Sequence, residues 1–334
     1  MEFLYEYGLF LAKAVTWVAA ILVVVTGVVG LVRQVRQHAT DHLEVKSLND
    51  RFRDLGDALK HSLLSGDELK RERKARKAAD KARAKALKKG TAPVRQRVYV
   101  LDFHGDIGAT AVSSLREEIS AILQVARDGD EVLVRLESEG GVVHGYGLAA
   151  SQLRRLREHK VRLTVAVDKV AASGGYLMAC VADRIVAAPF AILGSIGVVA
   201  QLPNFNRLLK KHDVDFELHT AGEYKRTLTV FGENTAEARQ KFQEMLDDAH
   251  ALFKSFLVEN RPQVSLAEVA TGEHWFGTRA ISLKLVDELK TSDDWLLERS
   301  KDADLHELRF KRHRGLAERL AGGIARLKAA TFFP

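Results

Sequence analysis

The sequence is poor in the residues that mark several common protein classes. Cys180 is the only cysteine among 334 residues, so an intrachain disulfide is impossible and thiolate metal clusters are excluded. Five prolines and 24 glycines are too few for a collagen-like or low-complexity chain. No phosphate-binding loop and no cluster of metal ligands stands out, so we expect no cofactor. A hydrophobic content of 46% suits a globular core, and the length predicts about two domains.

The positive charge is confined to one tract. Residues 33–97 contain 19 Lys/Arg and 9 Asp/Glu, a balance of +10, which leaves the rest of the chain at −3. The folded part therefore shows no basic footprint for nucleic acid, and no nucleic-acid partner is expected. Within the tract, residues 69–89 lack an apolar stripe that could be buried, which predicts a solvated helical spacer. Contact with anionic lipid headgroups is compatible with that interpretation.

Residues 14–32 form a run of 19 residues without charge, long enough to cross a bilayer as a helix. Trp17 near one end and Arg33 beyond the other are typical interfacial anchors. A cleaved signal peptide is disfavoured because Glu2 and Glu6 stand where such a peptide is basic. The sequence therefore predicts a single membrane anchor that stays attached.

From residue 97 onward, predicted strands and helices alternate, which indicates an α/β domain. The predicted strands cover residues 98–103, 131–137, 162–167, 184–188 and 216–219. The predicted helices cover residues 113–126, 147–159, 174–181, 205–212 and 235–260. A second apolar run, 186–200, has only 15 residues and is broken by Pro189, so a buried strand and turn is expected there. The tail from Gly315 predicts either an amphipathic helix or a plain surface helix.

Ser173 lies where an apolar strand ends and an apolar helix begins. At that position its hydroxyl is close to the free N–H groups of the helix, which favour an anion. The same serine is also well placed as an ordinary N-cap. These two interpretations stay open from the residues alone.

A glycine pair, Gly140 and Gly141, follows the strand that ends at Glu137. Glycines there allow bare backbone to approach a substrate, and an N–H of this pair together with that of Gly174 would make a two-donor oxyanion hole. A simple turn that needs positive φ is the alternative.

A serine nucleophile needs a base. No histidine of the folded region falls into an evident triad pattern in the sequence, and a lysine serves when burial favours its neutral amine. Lys225 follows the strand predicted at 216–219, although a solvated loop lysine is the common use of such a residue.

Five segments, in order, resemble the signal peptide peptidase A family of serine peptidases, most closely its SohB branch, whose members also begin with one membrane helix. The resemblance spans about residues 97–290. The segments are 136–147, 168–183, 194–199, 221–225 and 271–289.

The resemblance implies a serine endopeptidase with a Clp protease/crotonase-like spiral of ββα units. Ser173 matches the nucleophile and Lys225 the general base. Gly141 and Gly174 match the oxyanion-hole donors, and Ser195 matches the hydroxyl that positions the lysine amine. It also implies peptide substrates, among them signal peptides or membrane-derived fragments, and a homo-oligomer with active sites between protomers.

Two positions depart from the family pattern. Glu139 stands where proline is frequent, which puts a carboxylate beside the expected oxyanion hole and bears on substrate preference. Lys284 stands where glycine commonly precedes a Leu-Val-Asp turn, a difference that we expect to concern packing.

The expected organisation has five parts: an N-terminal flank (1–13), the anchor (14–32), a charged linker (33–96), the peptidase domain (97–290) and a C-terminal extension (291–334). A bacterial inner membrane location is expected. The basic tract favours a cytoplasmic domain, whereas the family resemblance favours the opposite side.

Three alternatives compete with the peptidase. Gly145 and Gly147 fit a GxGxxA dinucleotide pattern with Asp168 as the ribose-binding acid, but seven residues separate that pattern from the strand. A non-catalytic scaffold with the same fold is the second alternative. A crotonase-type acyl-CoA enzyme is the third, although it needs no serine and lysine at these positions.

Overall fold

The computed structural model describes residues 41–91 and 95–312, together with residues 8, 10, 13, 15–18 and 20–23. Its larger compact unit is Glu44–Arg309. The strands are β1 (His42–Ser47), β2 (Gln96–His104), β3 (Glu131–Glu137), β4 (Arg162–Val167), β5 (Val170–Ala172), β6 (Arg184–Ala187), β7 (Ile192–Gly194), β8 (His274–Phe276), β9 (Glu288–Leu289) and β10 (Ala303–Lys311).

Helices lie before, between and after these strands. They are α1 (Leu48–Leu63), α2 (Gly66–Lys88), α3 (Val112–Val125), α4 (Val143–Glu158), α5 (Gly174–Ala179), α6 (Asn206–Lys211), α7 (Ala236–Asn260), α8 (Leu266–Val269), α9 (Gly277–Ala280) and α10 (Ser292–Arg299).

Seven strands form the main sheet, in the order β1-β10-β2-β3-β4-β6-β9. The ladders from β10 through to β9 are parallel. Most residues of the central strands β3 and β4 are buried, as expected for strands covered on both faces. The α/β class predicted from the sequence is therefore confirmed, while the spiral of ββα units remains a prediction.

A small second sheet, β5-β7-β8, carries the functional region. β5 and β7 are parallel, with Ala172 beside Gly194, and β7 and β8 are antiparallel. Each of these strands has only three residues. An isolated bridge between Ser138 and Ala171 joins this sheet to the end of β3.

Hydrophobic side chains are buried on both faces of the main sheet. On one face, Val98 and Val100 pack in a cluster with Leu48 of α1 and Trp295 of α10. On the other face, Phe103 lies edge-on to Tyr146 of α4, with 6.4 Å between ring centroids. Burial of large apolar side chains on both faces stabilises the sheet.

The compact unit extends beyond the predicted limits of 97–290 at both ends. β10 pairs with β2, so part of the predicted C-terminal extension belongs to the main sheet. At the other end, the Asn49 side chain donates to the carbonyls of Ser300 (3.1 Å) and Ala303 (3.0 Å) and accepts from the Leu305 amide (2.7 Å). These bonds attach α1, predicted as linker, to the edge of the domain.

Two sequence-based expectations need correction. The predicted strand at 216–219 is not formed, because these residues are exposed and irregular and no strand among the described residues pairs with them. Lys284 has φ of +61°, a conformation that glycine adopts without steric cost. The family preference for glycine there therefore concerns backbone conformation rather than packing.

Most of the predicted N-terminal flank and anchor lies outside the described residues. Residues 313–334, which include the tail predicted as a helix from Gly315, lie outside them as well. Of the predicted anchor, residues 15–18 and 20–23 are described, and they are helical with exposed side chains. In the described part of the chain, we find no helix whose length and apolar character would suffice to cross a bilayer.

Candidate active site

The site is built where β3 and β5 end side by side. The Ser138 amide donates to the Val170 carbonyl (2.9 Å), and the Ala172 amide donates back to Ser138 (3.0 Å). Because parallel strands bring their carboxyl ends to one edge, the glycine pair after β3 lies beside the residue that follows β5. That residue is Ser173.

Both residues of the glycine pair pack closer to their neighbours than a residue with a Cβ could, and Gly140 does so against Ser173. Gly140 has φ of +96°, and a Cβ there would lie 2.8 Å from both the Gly174 nitrogen and the Ser173 Cβ. A Cβ on Gly141 would collide with the Ile107 carbonyl. Glycine is thus required by close approach as well as by conformation.

Ser173 has a strained backbone, with φ of +51° and ψ of −119°. Positive φ is uncommon for a residue with a Cβ, and such strain is concentrated at functional sites. Ser173 occupies the N-cap position of α5, yet its side chain makes no capping hydrogen bond. The interpretation of this serine as an ordinary N-cap is therefore wrong, and the half-buried hydroxyl is available for chemistry.

Ser195 lies next to Ser173 by the register of the small sheet. The Ser173 amide donates to the Gly194 carbonyl at 2.8 Å, and Ser195 follows directly. Ser195 also has φ of +51°, and its amide donates to Glu273 at 2.6 Å. The two predicted serines thus share the same positive φ at adjacent strand ends.

Of the two predicted oxyanion-hole donors, Gly174 directly follows Ser173, and Gly141 follows the Gly140 that contacts it. Gly174 is buried at the first turn of α5, and its small size is required because a Cβ would collide with the Tyr146 ring. Across the described residues, neither the Gly141 nor the Gly174 amide donates to a protein acceptor. Unpaired N–H groups beside a serine are what a developing oxyanion requires.

A directed chain of hydrogen bonds, which no sequence pattern predicts, supports the glycine pair. The Gly140 amide donates to Ser138 Oγ (3.1 Å), Ser138 Oγ lies 2.6 Å from the Tyr146 hydroxyl, and Tyr146 donates to the Asp106 carbonyl (2.8 Å). Because the single Tyr146 proton goes to that carbonyl, the Ser138 hydroxyl must donate to Tyr146. In the sequence, Tyr146 only appeared inside the apparent dinucleotide pattern.

Two pKa shifts keep the groups of this hydrogen-bond chain and its loop in one protonation state. Burial raises the pKa of Tyr146, so its phenol stays protonated and remains a donor. Burial alone would raise the pKa of Asp106, but hydrogen bonds from the Thr110 hydroxyl and amide outweigh it and lower that pKa. The loop that contacts Gly141 is therefore fixed by an ionised Asp106 near neutral pH.

Tyr146→Phe is expected to lower kcat about fivefold while KM changes little, since one net hydrogen bond of about 1 kcal/mol holds the oxyanion-hole loop. Steady-state kinetics with a peptide substrate measure both constants. The matched control is Tyr176→Phe, because that buried hydroxyl donates instead to the Leu285 carbonyl at 2.8 Å. Equal losses of kcat in the two variants at equal thermal stability would contradict a positioning role for Tyr146.

Lys225 is not joined to the serines in the single chain. It lies in an exposed, irregular segment, and its amide donates to the Gly222 carbonyl at 3.2 Å. Over residues 95–312, no hydrogen bond links Lys225 to Ser173 or Ser195. The structure thus brings together four of the five predicted site residues (Gly141, Ser173, Gly174 and Ser195) and leaves the lysine outside.

The geometry opposes the dinucleotide hypothesis. Gly145 lies in the first turn of α4, where its amide donates to the Val142 carbonyl (3.1 Å) rather than facing a ligand. Asp168, the expected ribose-binding acid, accepts from the amide (2.8 Å) and hydroxyl (2.5 Å) of Ser292. Among the residues the structure describes, no group of three His, Cys, Asp or Glu side chains could hold a metal ion.

A strained serine at a helix start, flanked by unpaired backbone amides, is typical of hydrolases that use a serine nucleophile. Comparison with known families supports a serine hydrolase and narrows the class of enzyme: the chain is a peptidase of the serine type. The family model described as "Peptidase family S49 N-terminal" matches residues 2–153, and "Peptidase family S49" matches residues 155–306. The chain belongs to peptidase family S49.

Within that family the chain is SohB-like, as the sequence motifs predicted. It is 52% identical over 328 residues to the SohB protein of Haemophilus influenzae, described as a probable protease, covering 95% of this chain and 92% of the relative. It is 53% identical over 306 residues to the SohB protein of Buchnera aphidicola subsp. Schlechtendalia chinensis, covering 90% of this chain and all of the relative.

Proposed function

We propose that this peptidase hydrolyses peptide bonds with a Ser/Lys dyad, with Ser173 as nucleophile and Lys225 as general base. The observation that carries the proposal is the Ser173 backbone, which is held at positive φ beside the unpaired Gly174 amide, with its hydroxyl uncommitted to capping. The neutral Lys225 amine takes the Ser173 proton as Oγ attacks the scissile carbonyl.

The remaining residues act on the charge that develops. The Gly141 and Gly174 amides donate to the oxyanion, and such a donor contributes roughly 3–4 kcal/mol at the transition state. The protonated lysine then gives its proton to the leaving amine, and an acyl-enzyme on Ser173 remains. Water, activated by the same lysine, releases the acyl group. Ser195 holds the lysine amine in place between these steps.

The segment that carries Lys225 supports a shared active site. Residues 198–235 fold mainly on themselves, through bonds such as Asn204 Nδ2 to the carbonyls of Thr229 (2.9 Å) and Gly232 (3.0 Å). This segment, the 198–235 arm, leaves large apolar side chains 43–81% exposed, among them Val199, Leu202, Leu208, Val214, Leu218 and Tyr224. Contact with a second copy of the chain would cover them and remove water from the lysine.

Mixing inactive variants tests whether sites are shared between protomers. Ser173→Ala and Lys225→Ala proteins are each expected to be inactive, while a mixture that is allowed to exchange subunits recovers up to about a quarter to a half of the wild-type rate, since some interfaces then pair an intact serine with an intact lysine. Peptide hydrolysis measures the recovery, and sedimentation confirms exchange. A mixture that assembles and exchanges but stays inactive would show that each protomer is self-sufficient.

Membrane attachment through residues 14–32 belongs to the same proposal. The uncharged run supports it, as do the described helical residues of that run, whose apolar side chains, including Trp17 and Ile21, are more than half exposed. We propose a bacterial inner-membrane location and peptide substrates that include signal-peptide or membrane-derived fragments. Exposed Ile107 and Val143 beside the glycine pair support a preference for apolar residues near the cleaved bond.

The proposed activity is tested by incubating the purified full-length chain in detergent with a mixture of unstructured peptides. New amino termini are expected to accumulate, and mass spectrometry identifies the bonds that were cut. An assembled preparation that binds peptides and cuts none would favour the non-catalytic scaffold.

A further inference from the structure

Helix α2 presents two chemically different basic faces. One face pairs with α1: Arg76 binds Asp57, Lys60 binds Glu72, and the Arg73 guanidinium lies 2.6 Å from His61 Nε2. These three cross-helix contacts fix the rotation of α2 against α1. The side chains on the remaining faces therefore point in defined directions.

A second face consists of lysines. They occur at intervals of three or four residues along α2, which places them within about 80° of one another around the helix axis and over about 27 Å of its length. All six side chains are exposed, and Asp67 pairs with the first of them at 3.7 Å. This lysine stripe consists of Lys70, Lys74, Lys77, Lys81, Lys85 and Lys88.

We propose that the lysine stripe lies against the anionic phosphates of lipid headgroups. A straight row of point charges fits a flat, repeating array of phosphates, and lysine provides such charges without a fixed fork geometry. The inference rests on the proposed membrane anchor, because only residues 33–41 separate its end from β1. Such a short connection keeps the domain near the bilayer surface.

The composition of α2 favours lipid over nucleic acid. Proteins that bind single-stranded nucleic acid supply aromatic side chains for base stacking, and α2 contains none. Two of its arginines, which would recognise phosphate with two parallel hydrogen bonds, are directed at α1 instead. What faces solvent is charge flanked by small alanines such as Ala75, Ala78 and Ala82.

Lysine footprinting on vesicles tests the proposal with the full-length chain. The protein is reconstituted in vesicles of phosphatidylcholine alone or of equal parts phosphatidylcholine and phosphatidylglycerol, acetylated briefly, and mapped by mass spectrometry. In the anionic vesicles, acetylation of the lysine stripe is expected to fall about fivefold, and high salt should restore it. Lys160, Lys211 and Lys301, which are exposed elsewhere, serve as internal references whose labelling stays constant.

A composition-matched variant distinguishes the effect of the lysine stripe's position from the effect of net charge. It carries Lys74, Lys77 and Lys81→Ala together with Ala75, Ala78 and Ala82→Lys, so the total charge is unchanged and half of the stripe moves to another face. The relocated lysines are expected to stay reactive in anionic vesicles, and the three unaltered stripe lysines to lose their protection. Equal protection of relocated and native lysines would overturn the proposal.

Two further outcomes are informative. Equal labelling of the stripe in both kinds of vesicle would refute lipid contact, and protection by added RNA but not by anionic lipid would assign the stripe to nucleic acid. Flotation with phosphatidylcholine vesicles tests the anchor separately. A chain that fails to float identifies a failed anchor, whereas a chain that floats without protection identifies a failed stripe.

Discussion

Ser173→Ala is expected to abolish peptide hydrolysis, with kcat falling by a factor on the order of 10⁴ or more, because loss of the nucleophile leaves only binding and oxyanion stabilisation. The fold should not change, since the Ser173 side chain makes no capping bond and its backbone bonds are independent of the hydroxyl. Serine and alanine both carry a Cβ and are strained to a similar degree at this φ, so the substitution should cost little stability. Initial rates with a fluorogenic peptide measure the loss.

The matched control for that loss is Ser151→Ala. Ser151 is exposed on α4 and its hydroxyl donates to the Gly147 carbonyl at 2.9 Å, away from the glycine pair. Its activity should stay within about twofold of wild type, as expected for an exposed position. Retention of more than a few per cent of activity by Ser173→Ala would assign nucleophilic attack to another residue.

Lys225→Met is expected to reduce kcat on the order of 10³-fold, because methionine fills the space of the lysine stem without supplying a base. Lys225→Arg should be equally inactive, since a guanidinium stays protonated and cannot accept the Ser173 proton. Lys211→Met is the control: this exposed lysine ends α6 in the same 198–235 arm. Its activity and assembly should be those of the wild type.

The arginine variant separates two roles for Lys225. If the residue only supplied positive charge near the oxyanion, Lys225→Arg would retain most of the activity. If it supplies a base, neither Lys225→Met nor Lys225→Arg should hydrolyse the peptide efficiently. Sedimentation of each variant shows whether the assembly is intact, so that a loss of activity can be traced to chemistry.

Long, strongly apolar elements were predictable from the sequence. β3 and β4 have the bounds that hydrophobic runs predict, because both are buried on both faces and flanked by polar residues. The helix after Ser173 was also predicted, since a cluster of small residues separates it from the preceding strand. The local sequence therefore points to Ser173, the glycine pair and Gly174 as candidate site residues.

Short and long-range features were not predictable in the same way. β5, β7 and β8 have three residues each, too few for any periodicity to appear. The sequence places β10 in a C-terminal extension because its partner strand β2 lies some 200 residues earlier. Pairing between strands that far apart leaves no local sequence pattern. The Tyr146 hydrogen bonds were not predictable either, since they join three separate segments of the chain.

The strand predicted at 216–219 shows how a local pattern misleads. Phe216 and Leu218 alternate with polar residues as in a half-buried strand, but both are more than 40% exposed and, within the described part of the chain, no strand pairs with them. Phe216 contacts Phe231 instead, with 5.7 Å between ring centroids. The alternation thus marks the exposed 198–235 arm, which leads to Lys225, rather than a strand of the core.

The central claim is that Lys225 activates Ser173, and the rate of covalent capture tests it most directly. The assembled wild-type chain and Lys225→Met are incubated with a fluorophosphonate probe, and the modified peptide is mapped by mass spectrometry over time. We expect a single adduct on Ser173 that forms at least about a hundredfold more slowly in Lys225→Met. An adduct on a different residue, or an equal rate of Ser173 modification in both proteins, would contradict the account.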